Sequence, residues 1–303
     1  PLSGGVIEFE FGAPVTAVEY GSGGQEVAVV HGNQLSLINA QTLLTQNIIR
    51  IDSEITAFDW SDDGQVIAVA DQSGGIRIFV SPKFEEQAFI QHDSAITEIS
   101  LGPDGRLLAT GSDSGRVFVW NIDSQLQLPE LEWTEAHEIL SLAFSPGGET
   151  LVVGRGDGSL GVWQINSPPV VRVIKAHEGG VETVAFNNEG SWMVSGSRDH
   201  TVKLWSFVED QLLGLKTFRE HEDWVSSAGF GWGGQGFVTG SVDGTIVIRD
   251  VERWSTEPVT FRHVGGLSSI ALDHSGNQLV SGTWNGTLQF WQLGNLDGAR
   301  SSP

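Results

Sequence analysis

One motif recurs along this chain at a nearly fixed interval, and no other feature limits the fold so severely. The segment "HEGGVETVAFNNEGSWMVSGSRDHTVKLW", His177 to Trp205, has close counterparts starting at His92, His137, His221 and His263. Two weaker copies lack the histidine: "VTAVEYGSGGQEVAVVHGNQLSLI" from Val15 and "ITAFDWSDDGQVIAVADQSGGIRIF" from Ile55. Aligned on their first apolar residue, the copies start at Val15, Ile55, Ile96, Ile139, Val181, Val225 and Leu267, with spacings of 40 to 44 residues. Self-similarity at such a period marks a repeat architecture built from small supersecondary units.

Each unit reads as strands. "VETVAF", "WMVSGS" and "TVKLW" are short and β-favouring, and turn residues such as "NNEG" and "RDH" separate them. A fourth segment follows in several copies: "PVVRVIKA", "LLGLKTFRE" and "EPVTFRH". The 39 glycines and 11 tryptophans suit short strands joined by tight turns. The two ends of the chain are unequal in an informative way. After Trp291 only "QLGNLDGARSSP" remains, without strand character, whereas "GVIEFEF" (Gly5 to Phe11) is an alternating strand with no unit of its own.

Seven copies of this length, four of them closing on Trp120, Trp163, Trp205 and Trp291, resemble WD40 repeats. The sixth has Arg249-Asp250 where the family's Trp-Asp stands, and the first two have Ile38 and Phe79 at the tryptophan position. The resemblance spans essentially the whole chain. It implies an all-β fold, a seven-bladed β-propeller over residues 1–303 with four antiparallel strands per blade. It further implies that the N-terminal strand, residues 5–11, completes the last blade and closes the ring, leaving 293–303 as a tail. Closure removes two sheet edges that would otherwise invite aggregation.

Ser195, Asp199 and His200 lie within six residues and make up the residue set of a hydrolytic triad. The resemblance implies something else: a hydrogen-bonded structural tetrad of His177, Ser195, Asp199 and Trp205. A blade packed on both faces buries its turn carboxylate and its indole N–H, and each then needs a partner. A nucleophilic triad would not recur, with decay, from blade to blade. Copies three, six and seven keep parts of the set, with Ser114, Arg249 and Asn285 as their departures. Copy four has Val153 in place of the hydroxyl. His200 reads as an exposed turn residue.

Other chemistry fails motif by motif. "HE" occurs at His137, His177 and His221, but the positions four residues on hold Ser141, Val181 and Val225 rather than a second zinc-binding histidine. There is no G-x-S-x-G, no phosphate-cradling G-K-[ST] and no EF-hand loop. "NGT" at Asn285 matches a glycosylation sequon and equally a tight hairpin turn, and the turn is preferred. Cysteine is absent, so thiol chemistry and thiolate metal sites are excluded. The expectation is a protein without catalytic residues, cofactor or metal.

Propellers carry function on their rims and central channel. The resemblance implies partner contacts at three positions per blade on the top face: either side of the first apolar residue, and just before the turn aspartate. These positions include Glu54, Asp113, Glu138, Glu182, Arg198, Trp224, Val242 and Trp284, together with Thr97, Ser226 and Ser268. Trp224 and Trp284 fall on neighbouring blades with Val242 between them. They either meet a partner or fold down over the channel neck. Arg198 either holds Glu182 or reads a partner's carboxylate or phosphate. Trp232 belongs to the opposite face with a similar ambiguity.

The sequence carries 16 Lys+Arg against 38 Asp+Glu, a formal net charge of −22. That sign disfavours direct nucleic-acid binding and anionic membranes, and no apolar run reaches the ~18 residues of a membrane span. An apolar anchor beside an acidic arc suits a protein or peptide partner with basic residues. The expected role is a non-enzymatic scaffold or adaptor subunit, a monomeric propeller within a hetero-complex in the cytoplasm. The alternative is a ligand-sensing domain of a larger signalling protein. The chain begins at Pro1 rather than at methionine, which fits a domain of something longer.

Overall fold

The computed structural model describes residues 6–128, 135–165, 171–208, 211–273 and 275–293. Its strands form seven four-stranded antiparallel sheets, each a blade of consecutive strands except the last. The inner strands are Val15–Tyr20, Ile55–Trp60, Ile96–Leu101, Ile139–Phe144, Val181–Phe186, Val225–Gly231 and Leu267–Leu272. They begin at the seven residues that anchor the repeat.

Blade 7 is completed from the other end of the chain. Strand Ile7–Glu10 pairs antiparallel with Thr287–Gln292, placing Phe9 opposite Leu288 and Ile7 opposite Phe290. This closing strand is shorter than residues 5–11, and the tail from 294 lies outside the described residues. Phe9 and Phe290 meet edge to face at 5.9 Å, inside an apolar cluster that also holds Val15, Val18 and Val280 of blades 1 and 7. Blade 3 departs most from the pattern, its outer strand shrinking to Leu126–Gln127.

The blades are joined by the same polar device at several interfaces. Hydroxyls near the start of one inner strand donate to the carbonyl of the next blade's first apolar residue: Thr97 to Ile139 at 2.6 Å, Ser141 to Val181 at 3.0 Å and Ser226 to Leu267 at 2.9 Å. Ser268 donates to Val15 at 2.5 Å, so the joint that closes the ring matches the others chemically. Thr97, Ser226 and Ser268 therefore face neighbouring blades with their hydroxyls.

Candidate functional site

A repeated backbone hydrogen bond builds one rim of the ring. The residue preceding the inner strand is tied to a residue of the turn between the second and third strands. Gln72 N–H donates to Glu54, Gly156 to Glu138, Arg198 to Gly180 and Val242 to Trp224, all at 2.8–2.9 Å, and Trp284 to Gly266 at 3.3 Å. Each blade so tied shows two side chains, or a side chain and a glycine, next to each other on the same face.

On blades 6 and 7 those pairs are Trp224 with Val242 and Gly266 with Trp284. Trp224 is 44% exposed and Trp284 53%, so neither indole is folded down, and Val264 nearby is 80% exposed. Gly266 leaves Val242 uncovered: a Cβ built there would lie 3.3 Å from Val242 Cγ1. The result is an apolar strip along the rim, with Val242 and Gly266 between two half-exposed indoles.

Blade 5 continues the strip with charge. Arg198 Nε donates to a Glu182 carboxylate oxygen, and its guanidinium carbon lies 4.8 Å from the Trp224 ring centroid. One side chain thus links an acid on one blade to an aromatic on the next. Glu182 also lines the central channel. Burial raises its carboxyl above the ordinary value, Arg198 opposes that, and the charge of Glu138 adds to it. Glu54, Asp113 and Glu138 are exposed. Trp232 lies half-buried towards the opposite face, its indole stacked where a Cβ on Gly276 would come within 2.8 Å.

Beneath the rim, blade 5 contains a continuous hydrogen-bonded chain. Trp205 Nε1–H donates to Ser195 Oγ at 2.9 Å, and Ser195 Oγ lies 2.8 Å from His177 Nε2. His177 Nδ1 sits 2.9 Å from Thr201 Oγ1 and 3.2 Å from Asp199 Oδ2. With its proton on Nδ1, the neutral imidazole accepts from Ser195 and every polar atom in the chain is satisfied. Burial holds His177 down to about 4, against the pull of Asp199. Ser195 is fully buried and already accepts from an indole, so no substrate carbonyl reaches its oxygen. His200 is exposed, with φ at 67° in the turn.

The other blades show what each departure costs. In blade 6, His221 Nδ1 bonds Thr245 Oγ1 at 2.7 Å, leaving Asp243 at 3.9 Å, and Arg249 pairs with Glu220 over the Phe218 ring. In blade 7, Trp291 still donates to Ser281 at 2.8 Å, but His263 turns Nδ1 to the Val264 carbonyl and its Nε2 has no partner among the described residues. In blade 4, where Val153 replaces the hydroxyl, the buried Trp163 Nε1 has none either.

Sequence reasoning passed over the channel acids. A cavity of about 700 Å³ runs along the ring axis, and Glu19, Asp59 and Glu98 project into it from blades 1, 2 and 3. Burial raises all three carboxyls, Glu98 to about 8; the charge of Asp59 adds to the rise at Glu19 and Glu98, and that of Asp62 to the rise at Glu19 and Asp59. Each keeps part of its surface open to the channel. Asp59 accepts from the N–H groups of Trp60 at 2.9 Å and Leu101 at 2.5 Å, which partly offsets its burial. The signal was present: these places along the inner strands otherwise hold small residues, as at Ala57, Ser141, Ala143 and Ser269.

A family model described as "WD domain, G-beta repeat" matches residues 84–121, 129–164, 169–206, 214–250 and 256–292, more than half of the chain. A guanine nucleotide-binding protein subunit beta of Zea mays is 34% identical over 137 residues, covering 40% of this chain and 36% of that protein. The periodic tryptophan protein 2 homolog of Caenorhabditis elegans is 25% identical over 163 residues, covering 39% of this chain and 18% of its own length. A p21-activated protein kinase-interacting protein 1-like protein of Xenopus laevis is 25% identical over 118 residues, covering 39% of this chain and 31% of that protein. The chain thus spans about a third or less of the length of these relatives.

Proposed function

The chain belongs to the WD40 family, and from that premise we propose that it is a non-enzymatic interaction scaffold, an adaptor that holds a protein partner on its Trp224–Trp284 rim. The observation that carries this reading is the pair of half-exposed indoles on adjacent blades, with Val242 and Gly266 between them. Large aromatics left in water on a rigid surface are the usual anchors of protein interfaces. Two of the relatives bear names that speak of assembly, one a subunit and one an interacting protein. The exposed acids Glu54, Asp113 and Glu138 favour a partner with basic residues at the edge of its contact.

Ser195, His177 and Asp199 are better explained as a brace for blade 5 than as a reaction centre, since the brace satisfies buried polar groups and recurs in part elsewhere. Affinity capture from native extract, with wild type beside a Trp224→Ala, Trp284→Ala double variant, tests the reading. A stoichiometric protein partner held by wild type and lost by the variant is expected. The same partner retained at full yield by the folded variant would place the contact elsewhere.

A further inference from the structure

The kind of partner follows from how Arg198 is held. Its Nε is committed to Glu182 and its guanidinium carbon lies over the Trp224 ring, while Nη1 and Nη2 make no hydrogen bond to a described residue. The side chain is 34% exposed. What faces the solvent is a rigid fork of donors whose charge is already matched, so little entropy is lost when it is engaged. A second carboxylate there would meet Glu182, nearby Glu138 and a formal net charge of −22. The acceptor that suits the fork is therefore a neutral one, and the commonest neutral acceptor on a partner is a main-chain carbonyl. To one side of the fork lies the strip of Trp224, Val242, Gly266 and Trp284. To the other lies exposed Glu138.

Resting on the docking reading above, we propose that this rim takes an extended basic peptide segment in one direction only. An apolar side chain sits over Val242 and Gly266 between the two indoles, a main-chain carbonyl accepts from Arg198 Nη, and a lysine or arginine lies beside Glu138. Arg198 sets the direction, because reversing an extended chain over the strip would turn a main-chain N–H instead of a carbonyl towards its donors. It acts as a specificity-determining residue rather than as an added point of charge.

An array of short peptides in a serine-glycine background tests this. Each holds one leucine, phenylalanine or tryptophan anchor, with paired lysines before it, after it, or replaced by glutamates. Wild type is expected to bind one lysine placement about tenfold more tightly than its mirror and to leave the glutamate set unbound. Arg198→Lys keeps the charge but loses the guanidinium over the ring and the fork, and it should cost about tenfold and erase the difference between placements. Trp284→Ala, at an exposed site where folding is not at risk, should remove the anchor preference. Equal binding of both placements, or an Arg198→Lys variant that still tells them apart, overturns the inference while leaving the docking reading intact if binding still needs the tryptophans. Peptide binding that ignores Trp224 and Trp284, or no peptide binding at all, also overturns it. In either case the native-extract capture decides separately whether the rim still serves a folded partner.

Discussion

Ser195 and Val153 occupy equivalent places in blades 5 and 4, and the difference between them decides whether a buried indole N–H is satisfied. Removing the hydroxyl of Ser195 would strand Trp205 Nε1 and His177 Nε2 together. Ser195→Ala should therefore lower stability by about 2 kcal/mol, read as an earlier urea midpoint at unchanged slope. Val153→Thr should do the reverse, giving Trp163 Nε1 an acceptor and adding about 1 kcal/mol; a loss of stability there would mean that the valine methyls matter more than the orphan donor. The channel acids make a pH prediction. Glu98, raised to about 8 by burial, binds its proton more tightly in the folded state, so its contribution is full at low pH and is lost as pH rises towards 8. His177, held down to about 4, acts oppositely, and its contribution is lost as pH falls from about 6.5 towards 4. Between roughly pH 6.5 and 8 the His177 contribution is complete and constant, and the acids alone make stability change. The melting temperature should fall across that window, and Glu98→Gln should raise it at pH 8 by roughly 2–4 °C. A slope unchanged by the substitution would remove Glu98 as its cause. The tetrad was expected from the resemblance to WD40 repeats, and the recurrence of its residues with decay from copy to copy argued against a hydrolytic triad. The Arg198–Glu182 pair was legible only as one of two choices, because the choice depends on how the turn carrying Arg198 sits over the inner strand carrying Glu182.

At the scale of the element, the repeat reported where every inner strand begins, because each start is an apolar residue with a fixed seat. That seat is often a glycine of the preceding blade: a Cβ built at Gly196 would stand 2.5 Å from Val225 Cγ1 and 2.8 Å from Thr183 Cγ2. Neither is the far end of a flexible chain, so Gly196→Ala must push blades 5 and 6 apart. The expected cost is about 1–3 kcal/mol, seen as an earlier denaturation midpoint, and an unperturbed midpoint would show that the interface has slack. Outer strands were harder to read from sequence. They have a neighbour on one side only, so their residues are less constrained, and the two-residue outer strand of blade 3 leaves no pattern to find. The hydroxyl joints between blades were also missed, since a serine or threonine near the start of a strand looks the same whether it faces a partner, solvent or the next blade.

For the whole molecule, closure turns seven marginal sheets into one ring. The strand Ile7–Glu10 completes blade 7 in the register of the other outer strands, and Ser268 joins blade 7 to blade 1 as Ser226 joins 6 to 7. A rigid ring presents its rim residues in fixed relation, which is what lets Glu182, Arg198, Trp224, Val242 and Trp284 act as one surface across three blades. Acidity belongs to this scale too, since the excess of carboxylates over cations surrounds that surface with a negative field, which favours the basic partner proposed above. Whether a partner meets this rim is best measured by placing a photoreactive side chain at position 242, between the two tryptophans, and at position 188, an exposed site on the opposite face. Illumination in native extract should give one discrete protein adduct from position 242 and none of that species from position 188. The same adduct from 188 alone, or none from 242 in extract that yields a captured partner, would contradict the assignment of the Trp224–Trp284 rim.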